Sequence, residues 1–330
     1  MKAVRLYAMG DLRVEDIAAP PRPEPGWVAV DVLSAGICGS DLHNFRTGQW
    51  ITRAPSVPGH EFIGRVTALG GGVTDLAIGD RVAADSRFWC STCAACCRGE
   101  YHLCARLGFV GEICDGGFAE KTVLPRRLLY RLPDDLPDQA AVLAEPMAVA
   151  LHAIHRLSPA QTDPVLIAGC GPIGGLAALA LAEMGHRDIR VADRNSDRVA
   201  RVCEVTGATP ASLQPASAGG GVRFAIEATG STAALISLLG CMASGGAIAL
   251  VGIMHGRLEL DPNTLVEREI SLIGCHAFRT EMPEAIALLS RCSPGALRLI
   301  DREITLDEVP AAYGRLIAGD AAGLKTVIRP

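Results

Sequence analysis

The spacing of apolar positions changes character partway along the chain. From residue 1 to about 135 the hydrophobic residues fall in short runs with a period of two. Val28, Val30 and Val32 alternate with smaller or charged neighbours, and Phe62 to Leu69 forms another run of this kind. Gly70-Gly71-Gly72 and Gly79-Asp80 punctuate these runs as turns. This part is expected to be an irregular, mostly β domain. Pro133-Asp134-Asp135-Leu136-Pro137 reads as a junction, with Asp138 expected to cap the helix that follows.

From about residue 139, Ala-rich stretches of helical texture alternate with short apolar runs: Val165–Ala168, Ile189–Ala192, Phe224–Glu227, Ala247–Val251 and Ser271–Gly274. Strand and helix alternating at this spacing predict an α/β region built on a doubly wound parallel sheet. The tail after about 288 returns to mixed texture and is expected to pack back on the first part. The expected division is therefore 1–138 plus 289–330 for one domain and 139–288 for the other.

Composition narrows the function classes. The chain has 330 residues, 49 % hydrophobic and 20 % charged, which suits a compact globular protein. Its net charge of −5, with no Lys/Arg stripe, argues against nucleic acid and anionic membrane as partners. The charged start Met1-Lys2-Ala3-Val4-Arg5 is unlike a secretory leader. Val165 to Ala182 carries no charge, yet Gly169, Gly171, Pro172, Gly174 and Gly175 would break a spanning helix, so a strand, turn and buried helix are expected. A cytoplasmic location is expected. Four of the twelve cysteines crowd into residues 90–104, with Cys97 beside them, and such clustering points to metal before disulfide.

Gly169-Cys170-Gly171-Pro172-Ile173-Gly174 fits G-x-G-x-x-G between an apolar strand and a helical pattern over Leu176–Met184. Gly169 permits the turn, Gly171 lets backbone approach a pyrophosphate, and Gly174 allows close helix–strand packing. Pro172 suits the first helical position, and the helix N-terminus favours the phosphates. Asp193 ends the next predicted strand, where a carboxylate accepts hydrogen bonds from ribose hydroxyls and disfavours a 2′-phosphate. NAD is expected in preference to NADP, although Arg194 beside the acid offers a phosphate partner.

Two metal constellations follow. Cys90, Cys93, Cys96 and Cys104 supply four thiolates from one loop, a closed set that suits a structural zinc; Cys97 competes with Cys96 for the register. Cys38, within Gly36-Ile37-Cys38-Gly39-Ser40-Asp41, and His60-Glu61, after Pro58-Gly59, offer a mixed S, N and O set with room for a substrate. Glu145, in apolar surroundings, calls for a cation partner. Taken singly, Cys38, His60, Glu61 and Glu145 each read as structural before they read as ligands, and only the set together points to a metal.

Together these residues resemble the zinc-containing medium-chain dehydrogenases, and the likeness covers nearly the whole chain. It takes in Gly36–Asp41, Gly59-His60-Glu61, Gly79-Asp80-Arg81-Val82, the four-cysteine lobe, Glu145-Pro146 and Gly169–Gly174. Glu61 and Glu145 look like the sorbitol, L-idonate and threonine dehydrogenase branch, where other alcohol dehydrogenases place a second cysteine at the zinc. The resemblance implies a GroES-like catalytic domain and a Rossmann domain, with two zinc ions and NAD. Cys38, His60 and Glu145 would hold the catalytic zinc, with Glu61 binding directly in some states and through water in others. Ser40 and His43 match the proton-relay positions. Pro172, Ile173, Arg194, Arg198, Val251 and Gly252 are expected to complete the cofactor contacts. A homodimer or homotetramer acting on a small alcohol or polyol is the family expectation.

The same residues leave other readings open. Ser40 is also a plausible turn hydroxyl, and His43 a plausible surface residue. A zinc hydrolase would have no use for the Gly169–Asp193 unit, and a non-catalytic zinc- and NAD-binding protein of this fold would have no need to keep Cys38, His60 and Ser40. Threonine or a simple secondary alcohol stands behind the polyol or sugar-acid substrate. Phe45, Trp50, Phe88 and Phe109 are candidate cleft residues.

Overall fold

The protein is described from a computed structural model covering residues 1–215, 220–254, 256–319 and 323–330. The period of two near the start is expressed as a strand, Trp27–Gly36, that buries Val28, Val30 and Val32 on one face. It pairs antiparallel with Glu61–Leu69 and with Lys121–Pro125. Arg81–Ala84 and Leu129–Arg131 extend the sheet on one side. On the other side lie Lys325–Arg329 and Ile300–Thr305, so the last strand of the chain pairs with the strand that leads into Cys38, Val327 opposite Gly36. The tail thus returns to the first part of the molecule.

The second region contains β1 (Val165–Ala168), β2 (Ile189–Ala192), β3 (Thr209–Pro210), β4 (Val222–Glu227), β5 (Met242–Leu250) and β6 (Ser271–Gly274). They form a parallel sheet in the order β3-β2-β1-β4-β5-β6. Its direction of progression reverses beside β1, the position where open α/β sheets bind ligands at their carboxyl ends. All four residues of β1 are buried, and the helix Pro172–Glu183 that follows is apolar on every side. The uncharged stretch is therefore a buried strand and helix, and no described helix is long and apolar enough to cross a membrane.

The helix Ala144–Leu157 ties the two sheets together. Its apolar residues share one core with Ile63 and Ala83 of the first sheet and with Val165, Ile226 and Ala249 of the second. This buried position sets Glu145, in the first turn, against the first sheet. Asp138 differs from expectation. Pro137 occupies the cap and Asp138 is the first helical residue, because Arg81 claims its carboxylate at 2.6 and 2.9 Å. β5 also begins earlier than expected, at Met242, since Gly245-Gly246 bends the strand without ending it. The expected domain boundaries fall inside helices, at the start of Asp138–Ala141 and within Met282–Arg298 near its kink at Cys292.

Candidate active site

Cys38 follows the strand Trp27–Gly36 and occupies the cap of the helix Gly39–Thr47. His60 immediately precedes the paired strand that opens with Glu61. Antiparallel pairing of Gly36 with Glu61 brings these segments side by side. Ligand atoms of Cys38, His60 and Glu61 consequently lie within 4.8 Å of one another. Glu145 is outside that tight group but borders it: its carboxyl is pushed up to about 7 by burial, with His60 drawing it down and Glu61 raising it. Burial opposes a charge on His60, yet Asp41 and Cys38 hold its pKa well above the usual value. A thiol, an imidazole and two carboxyl groups in a mostly buried setting form a donor set that fits zinc.

Two neighbours of this group were not among the expected site residues. Asp41 accepts a hydrogen bond from the Cys38 backbone N–H at 2.8 Å with one oxygen and faces His60 Nδ1 at 3.5 Å with the other. Lys325, in the last strand, meets the Glu61 carboxylate, with both side chains almost fully buried. Gly36 makes room for this pair, because a Cβ there would lie 2.5 Å from Glu61 Oε2 and 2.7 Å from Lys325 Cε. Asp41 lies within a motif already singled out, whereas Lys325 is brought in only by long-range strand pairing.

Ser40 Oγ is 3.4 Å from His60 Nε2, at the edge of the donor cluster. His43, one turn along the same helix, contacts Gln49 Oε1 at 2.9 Å and packs on Trp50. Of the candidate cleft aromatics, Phe45 lines a cavity with Ser40 and His60. Phe88 packs near Trp27 and under Arg127, and Phe109 packs against His276.

Within the cysteine lobe, Cys96 and Cys97 are placed differently. The sulfurs of Cys90, Cys93, Cys96 and Cys104 converge within 4.8 Å, while Cys97 is exposed and its thiol points to the Thr92 carbonyl. Backbone N–H groups of Thr92 and Cys93 point at Cys90 Sγ, and those of Cys90 and Arg106 at Cys104 Sγ. Donors aimed at sulfur favour the thiolate; hydrogen bonds from Thr92 lead in drawing Cys90 down to about 5. Burial leads in pushing Cys96 up to about 12.

At the other centre, Gly169 adopts a φ of 103°, and a Cβ on Gly174 would lie 1.8 Å from the Gly169 carbonyl oxygen. Both glycines are therefore sterically required, whereas Gly171 faces open space. Pro172 is the first residue of the helix, with Ile173 next to it, and the helix begins just after the end of β1, which pairs with β4. Asp193 accepts hydrogen bonds from Cys170 N–H at 2.7 Å and Asn195 N–H at 2.9 Å, so its carboxylate is fixed beside the glycine turn. Arg194 follows it, and Arg198 enters the next helix with its N–H bonded to the Asn195 cap. Val251 and Gly252 donate to the Glu227 carbonyl just beyond β5. The fully buried Glu227 carboxylate, which sequence reading missed, binds the Thr229 and Gly230 N–H groups and holds the wall against which Gly169 packs. A glycine cradle, a helix N-terminus and an adjacent acid fit a dinucleotide.

Comparison with known proteins identifies the family. Residues 24–134 match the alcohol dehydrogenase GroES-like domain family, and residues 172–291 match the zinc-binding dehydrogenase family. The chain is 32 % identical to (R,R)-butanediol dehydrogenase of Bacillus subtilis strain 168, covering all of both proteins. It is 31 % identical to L-threonine 3-dehydrogenase of Deinococcus deserti, covering 91 % of each, and 28 % identical to sorbitol dehydrogenase of Bacillus subtilis, covering 100 % of this chain and 97 % of that one. An alcohol dehydrogenase of E. coli CFT073 complexed with NADH superposes with a TM-score of 0.91 at 28 % identity, over 100 % of this chain and 99 % of that one. A zinc-binding dehydrogenase of Sinorhizobium meliloti 1021 bound to NADP superposes at 0.90 with the same identity and coverage. Fold, donor clusters and relatives thus agree that the chain belongs to the zinc-containing medium-chain dehydrogenases, in the branch of the sorbitol and threonine enzymes, and is an alcohol or polyol dehydrogenase.

Proposed function

We propose that the protein oxidises a secondary alcohol of the polyol or sugar-acid type, sorbitol- or L-idonate-like, to a ketone with reduction of NAD. The observation that carries this reading is the convergence of Cys38, His60 and Glu61 within 4.8 Å, with Ser40 at its edge. Cys38, His60 and Glu145 would hold a catalytic zinc, with Glu61 as the alternative oxygen ligand. Cys90, Cys93, Cys96 and Cys104 would hold a structural one. When bound, zinc supplies Lewis acidity toward the substrate hydroxyl and the nicotinamide supplies a hydride acceptor.

The chain's own residues do the rest. Ser40 would accept the substrate proton and pass its own to His43, one turn along the same helix; its position 3.4 Å from His60 Nε2 supports that role. Asp41 holds the His60 ring by its Nδ1 side, leaving Nε2 toward Ser40 and the donor cluster. Lys325 pairs with Glu61 and supplies a buried countercharge beside the donor cluster. Asp193 supports NAD over NADP through its fixed carboxylate, with Arg194, Arg198, Val251 and Gly252 around the remaining cofactor.

In this reading residues 1–138 plus 289–330 form the catalytic domain and 139–288 the dinucleotide-binding domain, assembled as a homodimer or homotetramer. Thiolate ligands suit a reducing, cytoplasmic setting. Threonine is the second substrate reading, favoured by the 31 % identity to a threonine dehydrogenase. The test is NADH formation by zinc-loaded protein on polyols, sugar acids, threonine and simple secondary alcohols. Turnover of polyols or sugar acids supports the proposal. Turnover of threonine alone moves the assignment to the second reading, and no turnover with zinc and NAD both bound contradicts it.

A further inference from the structure

Glu112 belongs to no motif of the chain, yet it lines the cavity shared by Ser40, Asp41, Phe45, His60 and Tyr313. Its backbone is firmly placed. The N–H donates to Phe109 O at 3.1 Å, and the carbonyl accepts from Thr52 Oγ1 at 2.9 Å. The preceding Gly111 presses against the approach to His60, where a Cβ would lie 3.0 Å from Gly59 N. The side chain is different. It is half-buried, and among the described residues its carboxyl has no hydrogen-bond or ion-pair partner. Burial pushes its pKa up to about 7, with His60 and Asp41 as the charged groups acting on it.

A half-buried carboxyl at the wall of such a cavity is placed to accept a hydrogen bond from a donor that enters it. The cavity offers about 20 Å³, room for a group the size of one hydroxyl or one water. Among the described residues no Lys or Arg lines it, so an anionic substrate group meets no countercharge from them. A substrate carboxylate, as in a sugar acid or threonine, would face Glu112 and Asp41 instead.

We propose that Glu112 is a specificity-determining residue, whose carboxyl accepts a hydrogen bond from a hydroxyl on the carbon next to the reacting carbinol. It thereby selects neutral vicinal diols and polyols over mono-alcohols and over sugar acids. This inference rests on the dehydrogenase reading above and narrows its substrate class.

The test compares butane-2,3-diol with butan-2-ol, which differ by the second hydroxyl alone. The unaltered protein is expected to favour the diol in kcat/KM by about tenfold or more, the size of a hydrogen bond to a charged group. Glu112→Ala should lower that ratio by about tenfold, and Glu112→Gln should lower it less, because the amide oxygen still accepts. Calorimetric binding of the diol to the NADH complex should weaken in the same order, while zinc content checks that the variants remain assembled. A ratio unchanged in Glu112→Ala overturns the proposal. Absence of NADH formation with either alcohol in the unaltered protein contradicts the dehydrogenase reading instead, so the two failures are distinct.

Discussion

Asp41 bridges Cys38 and His60: one carboxylate oxygen accepts from the Cys38 N–H at 2.8 Å, and the other lies 3.5 Å from His60 Nδ1. One side chain therefore orients both a proposed sulfur ligand and a proposed nitrogen ligand. Loss of such a partner typically weakens metal binding by about 10–100-fold. Asp41→Ala is expected to show that loss in chelator competition, with Asp41→Asn less affected because its amide oxygen still accepts from Cys38. Unchanged zinc affinity in Asp41→Ala would show that the bridge does not position the ligands.

The Lys325–Glu61 pair leads to a stability prediction. Both side chains are nearly inaccessible, so Lys325→Met leaves a buried acid without its partner. Removing one member of a buried pair costs roughly 3–5 kcal/mol. Adding Glu61→Gln to Lys325→Met should recover part of that loss. Denaturant unfolding of the three variants checks this, and additive losses would argue that the pair is not coupled.

In the cysteine lobe, geometry separates Cys96 from Cys97. Cys96→Ser should lower bound zinc by one ion per chain and reduce the unfolding temperature, whereas Cys97→Ser should change neither. Elemental analysis with thermal unfolding reads both. Equal zinc loss in the two variants would restore the alternative register.

Glu281 carries the pH prediction. It accepts from His152 Nδ1 at 2.8 Å and faces His155, which also meets Glu284. Burial tends to raise the Glu281 pKa, but hydrogen bonds from His152 and His155 bring it well below its ordinary 4.5. The Glu281 hydrogen bond leads in raising His155 above 6.5. The depressed acid contributes stability above pH 4.5 and loses it as pH falls. The raised His155 contributes below pH 6.5 and loses it as pH rises through its folded value. The stability gap between the unaltered protein and Glu281→Gln should therefore be widest between pH 4.5 and 6.5. Unfolding temperatures across pH test this, and a gap independent of pH would contradict it.

Local patterns made much of the fold legible. β1 and its glycine turn are set by an apolar run followed by glycines that packing requires, and the four sulfurs by even spacing within one loop. Cys38, His60 and Glu61 were identifiable as donors, but their convergence depends on pairing between distant strands, opposite Gly36. Lys325 was illegible for the same reason, since only the return of the last strand brings it to Glu61. Asp138 was misplaced because an acid near a helix start reads as a cap until Arg81 is known to hold it. Glu227 and Glu112 look like ordinary acids in sequence; full burial distinguishes the first, and the cavity it lines distinguishes the second.

The central claim, that the cluster around Cys38 is the catalytic metal centre, is tested most directly by zinc content and turnover of Cys38→Ser measured on one preparation. The account predicts that the variant loses one of two zinc ions and its NAD-dependent alcohol oxidation together, while the cysteine-lobe zinc stays bound. Retention of both zinc ions with undiminished turnover would contradict it.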